Sequence, residues 1–120
     1  MKVCVSAAGP TLESAVDPRF GRCVWFIVAE EDGQNFEAFR NPGLEAAQGA
    51  GIAAAQFVAS QGAGCVITGR CGPKAWRALE AAGIKVAGEA DGLSVREALR
   101  RYSAGGLKTL SGPSAEGGGF

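Results

Sequence analysis

The chain has 120 residues with 12 acidic and 12 basic side chains, so its net charge is zero and neither nucleic acid nor a membrane is favoured as a bulk electrostatic partner. It has no histidine, which removes Cys–His dyads, Ser–His triads and histidine-ligated metals together. Four cysteines without a signal-peptide pattern or a membrane-length apolar run imply a cytoplasmic chain whose thiols are free or metal-bound, not paired as disulfides.

Residues 2–6 (KVCVS) form a first strand with an apolar middle, placing Cys4 in the core. Residues 7–22 have no period and contain two X-Pro steps, so a long loop is expected there, functional or mobile. It ends in Asp17-Pro18-Arg19-Phe20-Gly21-Arg22, which sets two guanidiniums and an aromatic ring around a glycine. Residues 23–30 and 35–40 read as strands joined through an Asp32-Gly33 hairpin, the second mixing Glu37 and Arg40 with two phenylalanines as an edge strand would.

A first helix is expected over residues 46–61, with Ile52, Ala55, Val58 and Ala59 on its inner face. Gly49-Ala50-Gly51 at its start costs about 1 kcal/mol per glycine relative to alanine, which makes sense if backbone must come close to something. No strand directly precedes these glycines, so they are not a dinucleotide fingerprint.

Residues 64–79 (GCVITGRCGPKAWRAL) read as a buried strand over 65–68, a tight loop over 69–72 and a helix opening at Pro73. Helix N–H groups there face the strand's C-terminal edge, with Arg70 and Cys71 projecting between Gly69 and Gly72. This is either a site for an anion, including one built of metal and sulfur, or an ordinary strand-to-helix turn. A short strand over 84–87 follows, then a helix with Ser94 and Glu97 as a capping box and an apolar stripe of Val95, Ala98, Leu99 and Tyr102. Residues 1–110 are expected to form one domain, with residues 111–120 as a disordered tail.

The order βββαβαβα predicts an α/β fold with a mixed five-stranded sheet, order 3-2-1-4-5, flanked by three helices. Ligands of such sheets sit at the carboxyl ends of the parallel strands. Four loops meet there in this reading, around residues 7–22, the start of the second strand, 49–51 and 69–72. Cys71 is the leading ligand candidate, its loop exposure and neighbouring Arg70 favouring the thiolate. Cys23 is next, at the same edge. Cys65 opens its strand at the far edge, roughly 20 Å from Cys71, so one site using all four thiols is not expected. Two thiol ligands per chain, or capture of an anion by Arg22 and Arg70, fits better. Trp25 and Trp76 lack a neighbouring basic stripe and read as packing residues, not a base-stacking platform.

The motifs Asp17 to Arg22, Asn41-Pro42, Gly49-Ala50-Gly51, Val66-Ile67-Thr68-Gly69 with Gly72-Pro73, and Gly83-Ile84-Lys85-Val86 together resemble the dinitrogenase iron–molybdenum cofactor biosynthesis (cofactor-carrier) family. The resemblance spans roughly residues 1–107 and implies a ribonuclease H-like fold. It further implies non-catalytic binding or carriage of a metal–sulfur cluster, of iron–sulfur, molybdenum–iron–sulfur or molybdenum–copper sulfide type. One branch, the orange proteins, holds the last of these. Cofactor-assembly or acceptor proteins are the implied partners, and a monomer or weak homodimer the expected state. The site residues are then Arg19, Phe20, Gly21, Arg22, Gly49, Gly51, Gly69, Arg70, Gly72 and Pro73, with Cys71 and Cys23 as metal ligands. Many relatives carry histidine where this chain has Arg19, and many lack a cysteine matching Cys71. A nuclease is excluded, because the first and fourth strands offer no carboxylates for two-metal chemistry. The alternative is a phosphate- or nucleotide-binding regulatory module.

Overall fold

The computed structural model describes residues 1–33 and 35–113. Six strands form one sheet in the order β3-β2-β1-β4-β5-β6. They are β1 (Lys2–Ala7), β2 (Trp25–Glu30), β3 (Phe36–Arg40), β4 (Ala63–Ile67), β5 (Lys85–Gly88) and β6 (Lys108–Thr109). The helices are α1 (Ala50–Ser60), α2 (Pro73–Ala81) and α3 (Val95–Ser103). Strands β1, β4 and β5 are mutually parallel, while β2, β3 and β6 run antiparallel to their neighbours. The order of the first five strands is as expected. The sixth is a correction: residues 107–110 (LKTL) place half-buried Leu107 and Leu110 on either side of a two-residue edge strand, too short to announce itself.

Alternation along the strands divides the core. Cys4, Val66 and Val86 face α1 and α2 together with Phe26, Val58 and Leu79, whereas Val3, Val5, Cys65 and Ile67 face α3 with Val95 and Leu99. Cys65 therefore lies on the opposite face of the sheet from Cys4, Cys23 and Cys71.

Helix α1 begins four residues later than the period suggests, because Gly49 at φ +72° cannot continue a right-handed helix. Its buried face is Ala50, Ala54, Ala55 and Val58; Ile52 and Ala59 are exposed. Helix α3 has the expected stripe, and Ser94 Oγ accepts from Glu97 N (3.1 Å), half of the capping box. The other half is absent: the Glu97 carboxylate instead binds Arg100 and Arg101.

The long segment after β1 is ordered by main-chain bonds. Ala8 N donates to Ala15 O, Asp17 N to Ser6 O and Val16 N to Leu93 O, each at 2.9 Å, while Leu12 and Val16 are buried. Of the anticipated tail, residues 111–113 continue past β6 and residues 114–120 lie outside the described residues.

Candidate functional site

At the carboxyl edge of the parallel strands, three loops interlock through glycine. Arg70 N donates to Pro18 O (2.7 Å) and Phe20 N to Arg70 O (3.2 Å), stitching the Asp17–Arg22 turn onto the loop that follows β4. Gly69 permits this: a β-carbon there would stand 2.7 Å from Pro18 Cα and O. A β-carbon on Gly21 would come within 3.0 Å of Gly51 Cα, and one on Gly51 within 3.0 Å of Ala75 Cβ. Close backbone approach is what these glycines provide, and what approaches is neighbouring chain.

Asn41 locks the arrangement from below. Buried at the end of β3, it donates from Nδ2 to Gly21 O (3.1 Å) and Cys23 O (2.9 Å), and its Oδ1 accepts from Gly43 N (2.8 Å). This turns the chain at Cys23 and Val24, so β2 starts at Trp25 and not at Cys23 as the sequence suggested. Ser6 Oγ donates to Asp17 O and is hydrogen-bonded to Thr68 Oγ1, both at 2.8 Å, which ties the ends of β1 and β4 to the same turn.

The surface left by this interlock is a cleft of about 510 Å³ lined by Gly21, Arg22, Gly49 to Ile52, Pro73 to Ala75 and Arg77. Helices α1 and α2 both begin in it. Their N-caps are Gly49 and Gly72, no side chain caps either one, and neither has an acidic residue in its first turn. First-turn N–H groups have no partner within a helix, so two positive helix ends meet three cationic side chains here. Arg22, Lys74 and Arg77 are exposed and form no ion pair among the described residues.

A family model described as dinitrogenase iron-molybdenum cofactor matches residues 1–105. The chain belongs to that family. The structure of the apo form of the orange protein from Desulfovibrio gigas is 44% identical in sequence and superposes with a TM-score of 0.91, over 94% of this chain and 95% of that one. A putative NifB protein from Thermotoga is 33% identical, with a TM-score of 0.82 over 97% and 98% of the two chains. An uncharacterised protein of Methanocaldococcus jannaschii is 30% identical over 102 residues, 82% of this chain and 86% of its own length. Membership of the dinitrogenase iron–molybdenum cofactor family links the chain to iron–molybdenum-cofactor-related cluster binding or carriage.

Against this family background, the anticipated site divides. Gly21, Arg22, Gly49, Gly51 and Pro73 share the cleft. Gly69 and Arg70 line a second hollow, of about 550 Å³, with Glu89, Asp91, Leu110, Gly112 and Pro113. Arg19 is exposed, with its backbone N–H held by Asp17 Oδ1 (2.9 Å), and lines neither. Phe20 is buried, its ring centroid 5.4 Å from that of Phe26, and Gly72 is the buried N-cap of α2.

Cys71 is a correction to the expected exposure. It is fully buried, and burial pushes its thiol up to about 12, because the turn that Gly69 admits covers the loop. Cys23 is buried too. Its Sγ donates to Phe20 O (3.3 Å), and burial first, then the Asp17 carboxylate, drives its thiol well above the ordinary range. Cys4 is raised by burial and then by Cys23 and Cys65. No group of three or more Cys, Asp or Glu side chains is placed to hold a metal ion among the described residues.

Lys74, Arg77 and Asn41 escaped the sequence-based site. A helix opening at Pro73 puts residues 74 and 77 three apart on one exposed face, a spacing legible in the chain. Asn41 carried a weaker signal, a polar residue before proline at a strand end.

Proposed function

We propose that the chain binds and carries a preformed anionic metal–sulfur cluster in the cleft between the N-termini of α1 and α2, serving cofactor assembly or delivery without catalysing a reaction. The observation that carries this reading is the pairing of two uncapped helix starts with Arg22, Lys74 and Arg77 in a cleft lined, among the described residues, by no acid. Such a surface suits cargo that brings its own ligands and presents sulfide or oxo edges to N–H donors and guanidiniums. The nearby thiols are protonated near neutral pH and buried beneath the cleft, which favours capture by charge over ligation. Iron–sulfur, molybdenum–iron–sulfur and molybdenum–copper sulfide clusters all have this character.

Direct ligation by Cys71 and Cys23 is the second reading. One observation favours it: both thiols belong to the same core layer as Ala75 of α2, immediately inside the cleft wall. It would require the turn around Phe20 to open and both protons to leave. Anaerobic loading with each cluster type, followed by gel filtration and metal analysis, tests the proposal. Co-elution of a cluster supports carriage. Retention of phosphate or a nucleotide with no cluster would replace it with the regulatory-module reading.

A further inference from the structure

Beyond the residues that the family model matches, the chain does not simply end its fold. Helix α3 stops at Gly105 (φ +76°) and Gly106, and residues 107–113 then cross the open edge of β5. The attachment is thin. Two residue pairs, Ala87 with Thr109 and Gly88 with Lys108, define β6, and Leu110 N donates to Val86 O (2.8 Å). Leu107 rests on the α3 side of the core and Leu110 on the α1/α2 side, so the segment clasps the sheet edge between them. Leu110 needs glycine beneath it, since a β-carbon on Gly88 would stand 2.7 Å from Leu110 Cδ1. Lys108 reaches Glu89 Oε2 at 3.6 Å, an exposed pair that holds little.

The far end of this segment reaches the carboxyl edge of the sheet. Leu110, Gly112 and Pro113 form one wall of the hollow whose other walls are Gly69, Arg70, Glu89 and Asp91. Glu89 joins the two sides: its N–H donates to Gly69 O (2.9 Å) while its carboxylate meets Lys108. Glu89 is also the only non-glycine residue with positive φ (62°) among the described residues, a conformation that costs energy and persists when neighbours hold it.

We infer that residues 107–113 are a detachable strap, opening without unfolding of the sheet and thereby baring the edge of β5 and the Gly69–Arg70 hollow together. The grounds are the glycine hinge, the single strongly placed anchor at Leu110, and a strand of two residues laid over an otherwise unpaired edge. Ordering seven residues against so few contacts leaves the strap at the low-stability end of the molecule. This inference does not depend on what the α1/α2 cleft carries.

Hydrogen exchange on the wild-type chain tests it directly. The Leu110 amide should exchange at least about tenfold faster than the amides of β1 and β4, with an opening insensitive to low denaturant. Matching rates and matching denaturant dependence for Leu110 and β4 would overturn the strap. Leu110→Ala should speed exchange of residues 108–110 further and that of the Glu89 amide, which donates to Gly69 O in the hollow, at least about threefold, while the Ala53 amide beside the other cleft stays unchanged. Equal changes at both amides, no change at Glu89, or collapse of the whole fold in Leu110→Ala would each contradict it.

Discussion

The cleft at the starts of α1 and α2 and the thiol-bearing layer just beneath it offer two different ways to hold a metal–sulfur cluster. The cleft presents exposed cations and helix N–H groups ready for an anion. The layer below presents Cys4, Cys23 and Cys71, all buried and all with their proton affinity raised chiefly by burial. A thiol becomes a ligand by losing its proton, so desolvation that stabilises the thiol works against ligation. Sulfur near a site is thus no evidence of sulfur at it. In the proposed carriage, the charged surface is the part of this molecule prepared to bind.

That comparison can be broken most visibly with pH. A buried thiol has a folded-state pKa above its unfolded value, so its stabilising contribution is complete below about pH 9 and is lost as pH rises towards the folded value. For Cys71 that window runs from 9.0 to about 12. Each such thiol removes about 1.4 kcal/mol per pH unit inside its window, so denaturant midpoints should fall steeply between pH 9 and 11. A flat profile would mean that the thiols titrate as exposed groups and that the layer is accessible. Alkylation at pH 8 should likewise leave all four cysteines largely unmodified in the native chain, whereas a fast-reacting Cys71 would restore the exposure that its glycine-flanked loop suggests.

Asn41 joins the two regions, binding Gly21 O on the cleft side and Cys23 O on the thiol side. Asn41→Ala leaves buried main-chain groups without partners and should cost about 2–4 kcal/mol of stability by urea unfolding. A loss under about 0.5 kcal/mol would show that water replaces the amide and that the regions are not coupled through it. Single substitutions at the cleft come next. Arg22→Ala and Lys74→Ala should each weaken cluster retention by about 1.5–3 kcal/mol, roughly ten- to a hundred-fold, with the melting temperature unchanged. Arg70→Ala should have the smallest effect, within about threefold, because Arg70 lines a separate hollow that also holds Glu89 and Asp91. Equal losses for Arg22→Ala and Arg70→Ala would merge the two hollows into one site.

The fold was largely legible. Short apolar runs gave β1, β2, β4 and β5 their places, the Asp32-Gly33 turn paired β2 with β3, and the stripe of Val95, Ala98, Leu99 and Tyr102 with the Ser94 cap positioned α3. The edge at which the proposed site lies was inferred from strand direction alone. What the chain hid were tertiary effects. A loop flanked by Gly69 and Gly72 looks open until Pro18 is seen lying on Gly69. Gly51 looks poised for a ligand, although its missing β-carbon serves Ala75 as well as the cleft. Strand β6 has too few residues for any period, and its existence depends on Gly88 leaving room for Leu110.

The central claim, capture by charge with the thiols held back, is tested most directly by salt titration of the loaded chain. Protein loaded anaerobically with copper–thiomolybdate or a molybdenum–iron–sulfur cluster would be passed over gel filtration at rising ionic strength, with wild type and Cys71→Ser compared. Contacts between exposed charges are screened as salt rises. Retention should therefore fall progressively with salt and be the same in both proteins. Retention that is indifferent to salt but lost in Cys71→Ser would contradict the account and make the thiols the ligands.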